Sequence, residues 1–261
     1  LLMVISHRAC WISRTSLNSV FSVKNISKQK SNLNDSGLVA RFTELGGTFL
    51  TDTAALSKRV RAVRALVFDW DGVFNVGVKG KDKESGFAEA DSMGANMLRY
   101  GFWRRDKILP VTTIITGENN PVALSFAKRE HFHAVYLGVA NKSDVIAQLC
   151  SSHGLNRDEI ACVFDDINDL GMAAECGARF LVRRNSSPLM QDFVLKNNYC
   201  DYITAAQADS YAVREITELI LGVMGMFDTV VSSRAQHDDD YREYFAARQT
   251  TATQLVNMTT A

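Results

Sequence analysis

Two aspartates separated by one residue, Asp69 and Asp71, are the residues of this chain whose types and spacing most clearly suggest chemistry. They follow a short apolar run, residues 65–67, which predicts a buried parallel strand. Side chains at positions i and i+2 of a strand point to the same face, and Gly72 lets the backbone turn directly after them. We therefore expect both carboxylates at the carboxyl end of a sheet, where open α/β folds bind ligands.

The closeness of these two carboxylates predicts a cation between them. At a separation of about 4 Å, two like charges repel by roughly 4 kcal/mol at an effective dielectric constant of ~20. A hard divalent metal ion is the simplest cation that removes this repulsion, because such ions prefer carboxylate oxygen ligands. The pair of aspartates therefore indicates a divalent metal site.

Three further motifs occur downstream, each at the end of a predicted strand or the start of a predicted helix. Thr116 and Gly117 end an apolar strand, where a hydroxyl and free backbone N–H groups suit a phosphate oxygen. Lys142 begins a helix, the end at which a cation is electrostatically disfavoured, so it either pairs with carboxylates and a phosphate or is a solvated surface lysine. Three aspartates lie within residues 165–169, and capping of the next helix explains only one of them.

Strand-like and helix-like segments alternate from Val63 to about Met226, which predicts a parallel sheet with helices on both faces. The predicted fold class is α/β, a doubly wound Rossmann-like sheet. Asn120 before Pro121 is typical of a helix start, and Gly154 of a helix end. Strands are predicted at 65–69, 111–116, 134–137, 160–164, 179–182 and 202–203, and helices at 93–102, 121–130, 142–153, 170–176, 188–196 and 211–224.

The segments outside this alternation are expected to be peripheral. Residues 1–36 are rich in serine and basic residues, as in an organellar presequence, although sequence read through upstream of a mis-set start is the favoured explanation. Residues 37–62 predict a helical lead-in and residues 63–229 the main domain. Residues 230–261 predict a C-terminal tail, of which residues 250–260 are expected to be disordered.

A polar stretch rich in glycine and lysine, residues 74–90, follows the two aspartates. It is too short for a cap domain and too polar for a core, so we predict no cap domain and a small β-hairpin flap. Its lysines either form a solvated face or attract an anionic substrate.

The composition excludes several classes of protein. Among the 261 residues, 29 Lys and Arg balance 29 Asp and Glu, and no basic stripe interleaves with aromatic residues, so a nucleic-acid partner is not expected. No apolar run approaches the ~18 residues of a membrane span. The five cysteines form no CxxC pair, which favours reduced, mostly buried thiols and a cytoplasmic location.

The order of the four motifs, strand–DxD, strand–TG, helix–Lys and strand–DxxxD, resembles the haloacid dehalogenase superfamily of aspartyl phosphotransferases. Within it, the chain is most similar to the capless 3-deoxy-D-manno-octulosonate 8-phosphate phosphatase group. The short insert after the first motif resembles that group's flap, Asp91-Ser92-Met93-Gly94 resembles its D-x-x-G helix start, and residues 211–215 resemble its G-A-V-R-E segment. The resemblance covers about residues 63–223.

This resemblance implies a Mg²⁺-dependent phosphatase that forms an aspartyl phosphate. Asp69 would be the nucleophile and Asp71 the general acid and base. Mg²⁺ would be held by Asp69, the backbone carbonyl of Asp71, and Asp165. Thr116 would donate to a phosphoryl oxygen, and Lys142 would neutralise charge in the transition state. The residues with supporting roles would be Gly72, Gly117, Glu118 and Asp169, the last orienting Lys142 or a metal-bound water.

The resemblance also implies a small phosphorylated sugar acid as substrate, a role in lipopolysaccharide biosynthesis and a homotetramer in which one subunit's flap closes its neighbour's site. Two positions depart from the pattern. Phe164 replaces the usual Gly before Asp165, where it could narrow the site or shift that aspartate. Glu118 replaces the usual Arg after the Thr-Gly pair, which disfavours contact with a substrate carboxylate from this position.

The substrate therefore stays open at this stage. A glutamate at position 118 resembles the phosphatases of 2-keto-3-deoxynononic acid 9-phosphate, a sialic-acid-like compound. A general phosphatase of small metabolites is another possibility. A non-catalytic module, like the similar domains attached to acylneuraminate cytidylyltransferases, is the alternative from a different class.

Overall fold

The computed structural model of the protein describes residues 35–80 and 86–258. The strands are β1 (Thr48–Phe49), β2 (Ala65–Phe68), β3 (Val111–Ile115), β4 (Ala134–Leu137), β5 (Ile160–Phe164), β6 (Ala178–Leu181), β7 (Tyr202–Ile203) and β8 (Gln254–Asn257). The helices are α1 (Asp35–Leu45), α2 (Thr53–Ala62), α3 (Glu89–Asp106), α4 (Pro121–Glu130), α5 (Lys142–His153), α6 (Leu170–Ala174), α7 (Pro188–Asn197), α8 (Ala212–Val223), α9 (Phe227–Gln236) and α10 (Asp239–Gln249).

In the described part of the chain, eight strands form one sheet in the order β1-β7-β6-β5-β2-β3-β4-β8. Every neighbouring pair is parallel except β1 and β7. The predicted α/β sheet is thus confirmed, and β2 lies near its centre between β3 and β5. All four residues of β2 are buried, as expected for a strand covered by helices on both faces.

Two apolar clusters, one on each face of the sheet, fix the direction of the side chains at the end of β2. Trp70, between the two aspartates, is fully buried and packs against Phe74 and Phe126 at ring-centroid distances of 5.2 and 5.4 Å. Because successive side chains of an extended segment alternate, anchoring Trp70 in this cluster turns Asp69 and Asp71 the other way. The core therefore positions the two acids.

The C-terminal residues differ from the prediction. The expected disorder of residues 250–260 is wrong for residues 254–257, which form β8 and pair in parallel with β4. The predicted boundary at residue 230 falls inside α9. A short, polar edge strand carries little hydrophobic signal, because it is held by backbone hydrogen bonds such as Gln254 N–H to His133 O at 2.9 Å.

Parts of the predicted flap and of the predicted N-terminal extension lie outside the residues that the structure describes. Residues 1–34 and 81–85 are outside the described residues, and so is most of the predicted extension, residues 1–36. On either side of the gap, residues 76–80 and 86–88 form no strand, so the predicted hairpin is not seen in the part of it that is described.

Within the described ranges, no single helix has both the length and the apolar character needed to cross a membrane. Helices α8 and α9 pass that test only together, as a pair bent by 112°.

A buried ion pair attaches α10 to the main domain. Arg248 Nη1 contacts Glu130 Oε2 at 2.9 Å, and the two side chains are 10% and 7% exposed. Glu130 also accepts hydrogen bonds from Ser92 at 3.0 Å and Asn96 at 3.4 Å, both on α3. This network therefore joins three helices and precedes the turn into β8.

We expect Arg248→Ala to lower the free energy of unfolding by about 2 kcal/mol, because it removes the closer cation of the buried Glu130 carboxylate and leaves only Arg129, at 3.4 Å. Arg242→Ala is the matched control, since the Arg242 side chain is 63% exposed, and it should change stability by less than about 0.5 kcal/mol. Urea denaturation of both variants measures the difference. Equal effects would contradict a structural role for the Glu130 network.

Candidate active site

The parallel register brings the predicted motifs to one edge of the sheet. Phe68, the last residue of β2, lies opposite Ile114 of β3 and Val163 of β5, so the three strands end almost level. Asp69 follows β2, and Thr116 and Asp165 directly follow the other two strands. Lys142 reaches the same edge as the first residue of α5, the helix after β4. The order of motifs in the sequence thus becomes proximity in space.

These strand ends surround a polar cleft of about 380 Å³. Every predicted catalytic, metal-binding and supporting residue lines it except Gly72, which lies behind the carboxylate of Asp165. The residues of the prediction that line the cleft are Asp69, Asp71, Thr116, Gly117, Glu118, Lys142, Asp165 and Asp169.

Lys142 is the electrostatic centre of this cleft. Its Nζ donates to Asp69 Oδ1 at 2.5 Å and to Asp169 Oδ1, and its side chain is only 6% exposed. Burial lowers the pKa of Lys142, but the charges of Asp69 and Asp169 raise it more, so the net pKa lies above its ordinary value. Lys142 is therefore a buried cation paired with carboxylates, and the solvated-lysine alternative does not hold.

Asp169 fixes both Lys142 and the loop after β5. One carboxylate oxygen accepts from Lys142, and the other accepts from the backbone N–H groups of Asp165 at 3.4 Å and Asp166 at 3.3 Å. With both oxygens engaged, Asp169 is suited to orient its neighbours. This leaves Asp69 and Asp165 as the carboxylates available to a metal ion.

The raised pKa values of Asp69 and Asp165 indicate that the site lacks positive charge to stabilise both carboxylates as anions. Burial, together with the charge of Asp169, raises the pKa of Asp69 to about 7 although Lys142 lowers it. Burial and the charges of Asp69 and Asp169 raise the pKa of Asp165 to about 8. Ligand oxygens of Asp69, Asp165 and Asp169 lie within 4.8 Å of one another. A divalent ion stabilises such carboxylates as anions, so these residues fit Mg²⁺.

Gly72 is required by its surroundings as well as by its backbone. Its φ is +94°, a conformation that side-chain-bearing residues rarely adopt. A Cβ atom at this position would overlap the carboxylate of Asp165. The absent side chain therefore lets the loop after β2 approach the loop after β5 closely enough to share a metal ion.

Asp71 is paired with a lysine of the polar stretch that follows it. Its Oδ2 accepts from Lys79 Nζ, and its Oδ1 is buried without a hydrogen-bond partner among the described residues. Lys79 lines the cleft, with a side chain that is 52% exposed. Lys79 thus lies at the cleft in a pair with Asp71, and Lys81 and Lys83 of this stretch lie outside the described residues.

Sequence reasoning missed Arg184. Its Nη1 donates to Asp166 Oδ2 at 3.0 Å and its Nη2 to Asp165 Oδ2, so it holds the outer side of the carboxylate cluster. A signal was present, because Arg183 and Arg184 directly follow the predicted strand 179–182, whose carboxyl end belongs to the same edge. The rule that located the aspartates would have found this pair as well.

The two departures from the family pattern have different surroundings. Phe164 is fully buried in the apolar cluster with Cys162 and Met172, and its side chain does not line the cleft. It does not narrow the site. Glu118 is exposed at the cleft, and its backbone N–H donates to Thr116 Oγ1 at 3.3 Å. Of the two, only Glu118 can contact a ligand directly.

We expect Gly72→Ala to weaken Mg²⁺ binding by at least about tenfold, since the new methyl group displaces Asp165. Gly86→Ala is the matched control, because a Cβ there meets nothing within 4 Å, and its Mg²⁺ affinity should equal that of the wild type. Calorimetric titration with Mg²⁺ measures both. Unchanged binding in Gly72→Ala would show that the two loops need not approach this closely.

We expect the metal-free protein to lose stability as the pH rises from about 4 to about 8. The folded-state pKa values of about 7 for Asp69 and about 8 for Asp165 lie above the ordinary value of 3.8. Folding therefore favours the protonated carboxyls, and that contribution is complete below the unfolded value of 3.8 and is lost progressively as the pH rises through the folded-state values. Urea midpoints in the presence of a chelator should fall over this range, and saturating Mg²⁺ should reduce the fall.

Asp165→Asn should flatten this pH dependence, whereas Asp192→Asn, an exposed change on α7, should not. The same slope in all three proteins would contradict the assignment of the pH effect to the buried carboxyls.

Comparison with known proteins identifies the fold. No protein-family model matches the chain. The 3-deoxy-D-manno-octulosonate 8-phosphate phosphatase of Haemophilus influenzae is 23% identical over 181 residues, which are 67% of this chain and 93% of that protein. A probable YrbI-family phosphatase from Pseudomonas syringae pv. phaseolica superposes with a TM-score of 0.58 at 26% identity, covering 70% of this chain and 98% of its own.

The octulosonate 8-phosphate phosphatase of Moraxella catarrhalis, in complex with magnesium, phosphate and KDO, has a TM-score of 0.56 at 22% identity, with coverage of 68% and 97%. These similarities agree with the order of the motifs and with the topology of the sheet, and the relatives are phosphatases by name. The resemblance predicted from the sequence is therefore confirmed: the chain is similar to 3-deoxy-D-manno-octulosonate 8-phosphate and YrbI-family phosphatases and shares their fold.

Proposed function

We propose that this protein is a Mg²⁺-dependent phosphomonoesterase that acts through an aspartyl phosphate on a 2-keto-3-deoxy sugar acid phosphate. The observation that carries the proposal is the buried contact of 2.5 Å between Lys142 Nζ and Asp69 Oδ1. A carboxylate can approach a phosphate dianion only where cations offset the repulsion between them. Asp69 lies beside Lys142 and in the same cleft as the hydroxyl-bearing Thr116.

In the first step, the Asp69 carboxylate attacks phosphorus, and the bond from phosphorus to the leaving oxygen breaks. Asp71, two residues away on the same side of the chain, protonates the leaving alkoxide. Thr116 donates its hydroxyl to a phosphoryl oxygen, and Lys142 balances the charge that builds up on the phosphoryl group. Asp69, Asp165 and the carbonyl of Asp71 would hold Mg²⁺, whose charge would offset the repulsion between carboxylate and phosphate.

In the second step, a water molecule attacks the phosphorus of the aspartyl phosphate. Asp71, deprotonated by the first step, accepts the proton of this water, and Asp69 is released as a carboxylate. Asp169 keeps Lys142 in place throughout, since its own oxygens are held by Lys142 and by two backbone N–H groups. Each residue thus returns to its starting state after one turnover.

The sugar acid specificity is supported by the relatives and by the charges around the cleft. The Moraxella catarrhalis enzyme binds magnesium, phosphate and KDO, and the Haemophilus influenzae enzyme has a cobalt-bound form. Lys79 and Arg184 give the rim of this cleft two cations that suit an anionic substrate. Glu118, the acid at the same rim, is the feature that favours a nononic acid 9-phosphate over an octulosonate 8-phosphate.

The proposal extends to the assembly and the location, as the resemblance implies. We propose a homotetramer, in which the stretch at residues 74–90 closes the site of a neighbouring subunit, and a cytoplasmic location. Sedimentation equilibrium of the purified protein tests the tetramer. A monomer with full activity would contradict it.

We expect Asp69→Asn to abolish phosphate release from p-nitrophenyl phosphate in the presence of Mg²⁺, because an amide cannot form the aspartyl phosphate. Asp192→Asn should retain wild-type activity, since Asp192 is exposed on α7. Release of phosphate is measured at equal protein concentration. Residual activity above a few per cent in Asp69→Asn would contradict the role of Asp69 as the nucleophile.

A steady-state comparison of octulosonate 8-phosphate with nononic acid 9-phosphate decides between the two substrates. We expect Glu118→Arg to raise kcat/KM for the octulosonate by about tenfold, because it replaces the carboxylate at this rim with the arginine that octulosonate phosphatases usually have there. An unchanged ratio of kcat/KM for the two substrates would show that residue 118 does not determine the substrate preference. Failure of the wild type to bind Mg²⁺ with beryllofluoride would instead support the non-catalytic module.

A further inference from the structure

A second cavity, of about 320 Å³, lies next to the catalytic cleft. It opens at the same edge of the sheet, between the loop after β2 and the loops after β6 and β7. Its lining includes Gly72, Val76, Arg184, Ser186, Gln207 and Asp209. None of these residues except Arg184 lines the catalytic cleft.

Arg184 forms the junction between the two cavities. Its side chain lines both, and its guanidinium is held by Asp165 and by Asp166 at 3.0 Å. The side chain is 40% exposed, so solvent or a ligand reaches it. Gly72 belongs to the second cavity and directly follows Asp71, the proposed acid for the leaving group. The lining of the second cavity thus begins one residue along the chain from Asp71.

The charges around the second cavity favour an anion. Arg183 and Arg184 both line it, against the single acid Asp209 in the lining. Arg184 already pairs with Asp165 and Asp166, so among the described residues Arg183 is the cation of this cavity without an acidic partner. Arg183 is fixed by the protein, since it donates to Thr204 O at 2.7 Å, Gln191 Oε1 at 3.3 Å and Gly46 O at 3.1 Å. The guanidinium of Arg183 is therefore held in place as a positive charge beside the cavity, although its N–H groups already donate to acceptors of the protein.

The same cavity also offers hydrogen-bonding groups that the protein does not use. Arg184 Nε and the hydroxyl of Ser186 make no hydrogen bond within the described ranges. Gln207 accepts from the backbone N–H of Asn185 at 3.1 Å through Oε1, which leaves its amide N–H groups as donors. Several donors around a positively charged space suit a carboxylate and a row of hydroxyl groups.

We infer that the second cavity binds the hydroxylated, carboxylate-bearing end of the substrate whose phosphate reacts at Asp69, with Arg184 at the junction. This inference rests on the proposed phosphatase function and adds where the sugar acid lies. It gives the chain a cation for the substrate carboxylate on the side of the cleft formed by the loop after β6, away from Glu118.

The experiment compares two phosphate esters that differ in the group carried by the phosphate. Gluconate 6-phosphate has a carboxylate and a row of hydroxyls, whereas p-nitrophenyl phosphate has neither. Gln207→Trp and Ser186→Trp each place an indole ring in the second cavity. Val231→Trp and Ser232→Trp are matched controls, because Val231 and Ser232 are exposed on α9.

Filling the cavity should lower kcat/KM for gluconate 6-phosphate by about tenfold, through KM, and change that for p-nitrophenyl phosphate by less than about twofold. The two α9 controls should resemble the wild type with both esters. In the wild type, gluconate should competitively inhibit p-nitrophenyl phosphate hydrolysis more strongly than glucitol, which has the hydroxyls without the carboxylate. This inhibition test does not depend on the folding of any variant.

Equal losses on both esters, or no loss in either tryptophan variant, would overturn the inference. So would equal inhibition by gluconate and glucitol. If the wild type hydrolyses p-nitrophenyl phosphate yet the cavity variants do not discriminate, the phosphatase proposal survives and the sugar acid subsite does not. If the wild type hydrolyses neither ester, the proposed function itself fails.

Discussion

The buried ammonium group of Lys142, held between Asp69 and Asp169, is the interaction on which the rest of the site depends. Removing a lysine from water costs several kcal/mol, and only close carboxylates with good geometry offset that cost. The structure supplies two, one from the end of β2 and one from the turn after β5. The same pairing leaves the cluster short of positive charge, since the buried Asp165 remains with only the partly exposed Arg184 beside it. The fold thus organises its cations around one lysine and leaves a place for a divalent ion.

The hydrophobic core positions this charge cluster through a few residues at the end of β2. Trp70 is anchored in an aromatic cluster, and the residues on either side of it face the cleft. On the opposite face of the sheet, the ring of Phe164 is buried among apolar side chains, which fixes the backbone beside Asp165 in the same way. Phe164 therefore replaces glycine without loss of space in the cleft. Its contribution is to packing, and the chemistry of the site is carried by its neighbours.

Much of the fold and site could be predicted because the informative residues lie at the ends of regular elements. The strand containing Ile115 is a nearly continuous buried run, and the helix that begins at Lys142 is capped by Asn141 and Gly154. The level ends of the parallel strands bring residues that are distant in sequence close together. Strands β1 and β8 could not be found in this way, since they are short and stabilised by long-range backbone pairing. The ion pair of Arg184 with Asp165 was missed because an arginine after a strand is usually only a surface charge.

The pairing of β8 with β4 has a consequence for how the chain reaches its folded state. All four residues of β4 are buried, whereas three of the four in β8 are exposed. Until residues 254–257 are synthesised, β4 is the last strand on its side of the sheet and presents apolar side chains beside unpaired backbone groups, the usual setting for intermolecular strand addition. Strand β8 is synthesised after β4 and then covers its exposed edge. Chains that end before β8 would therefore be the most prone to aggregate.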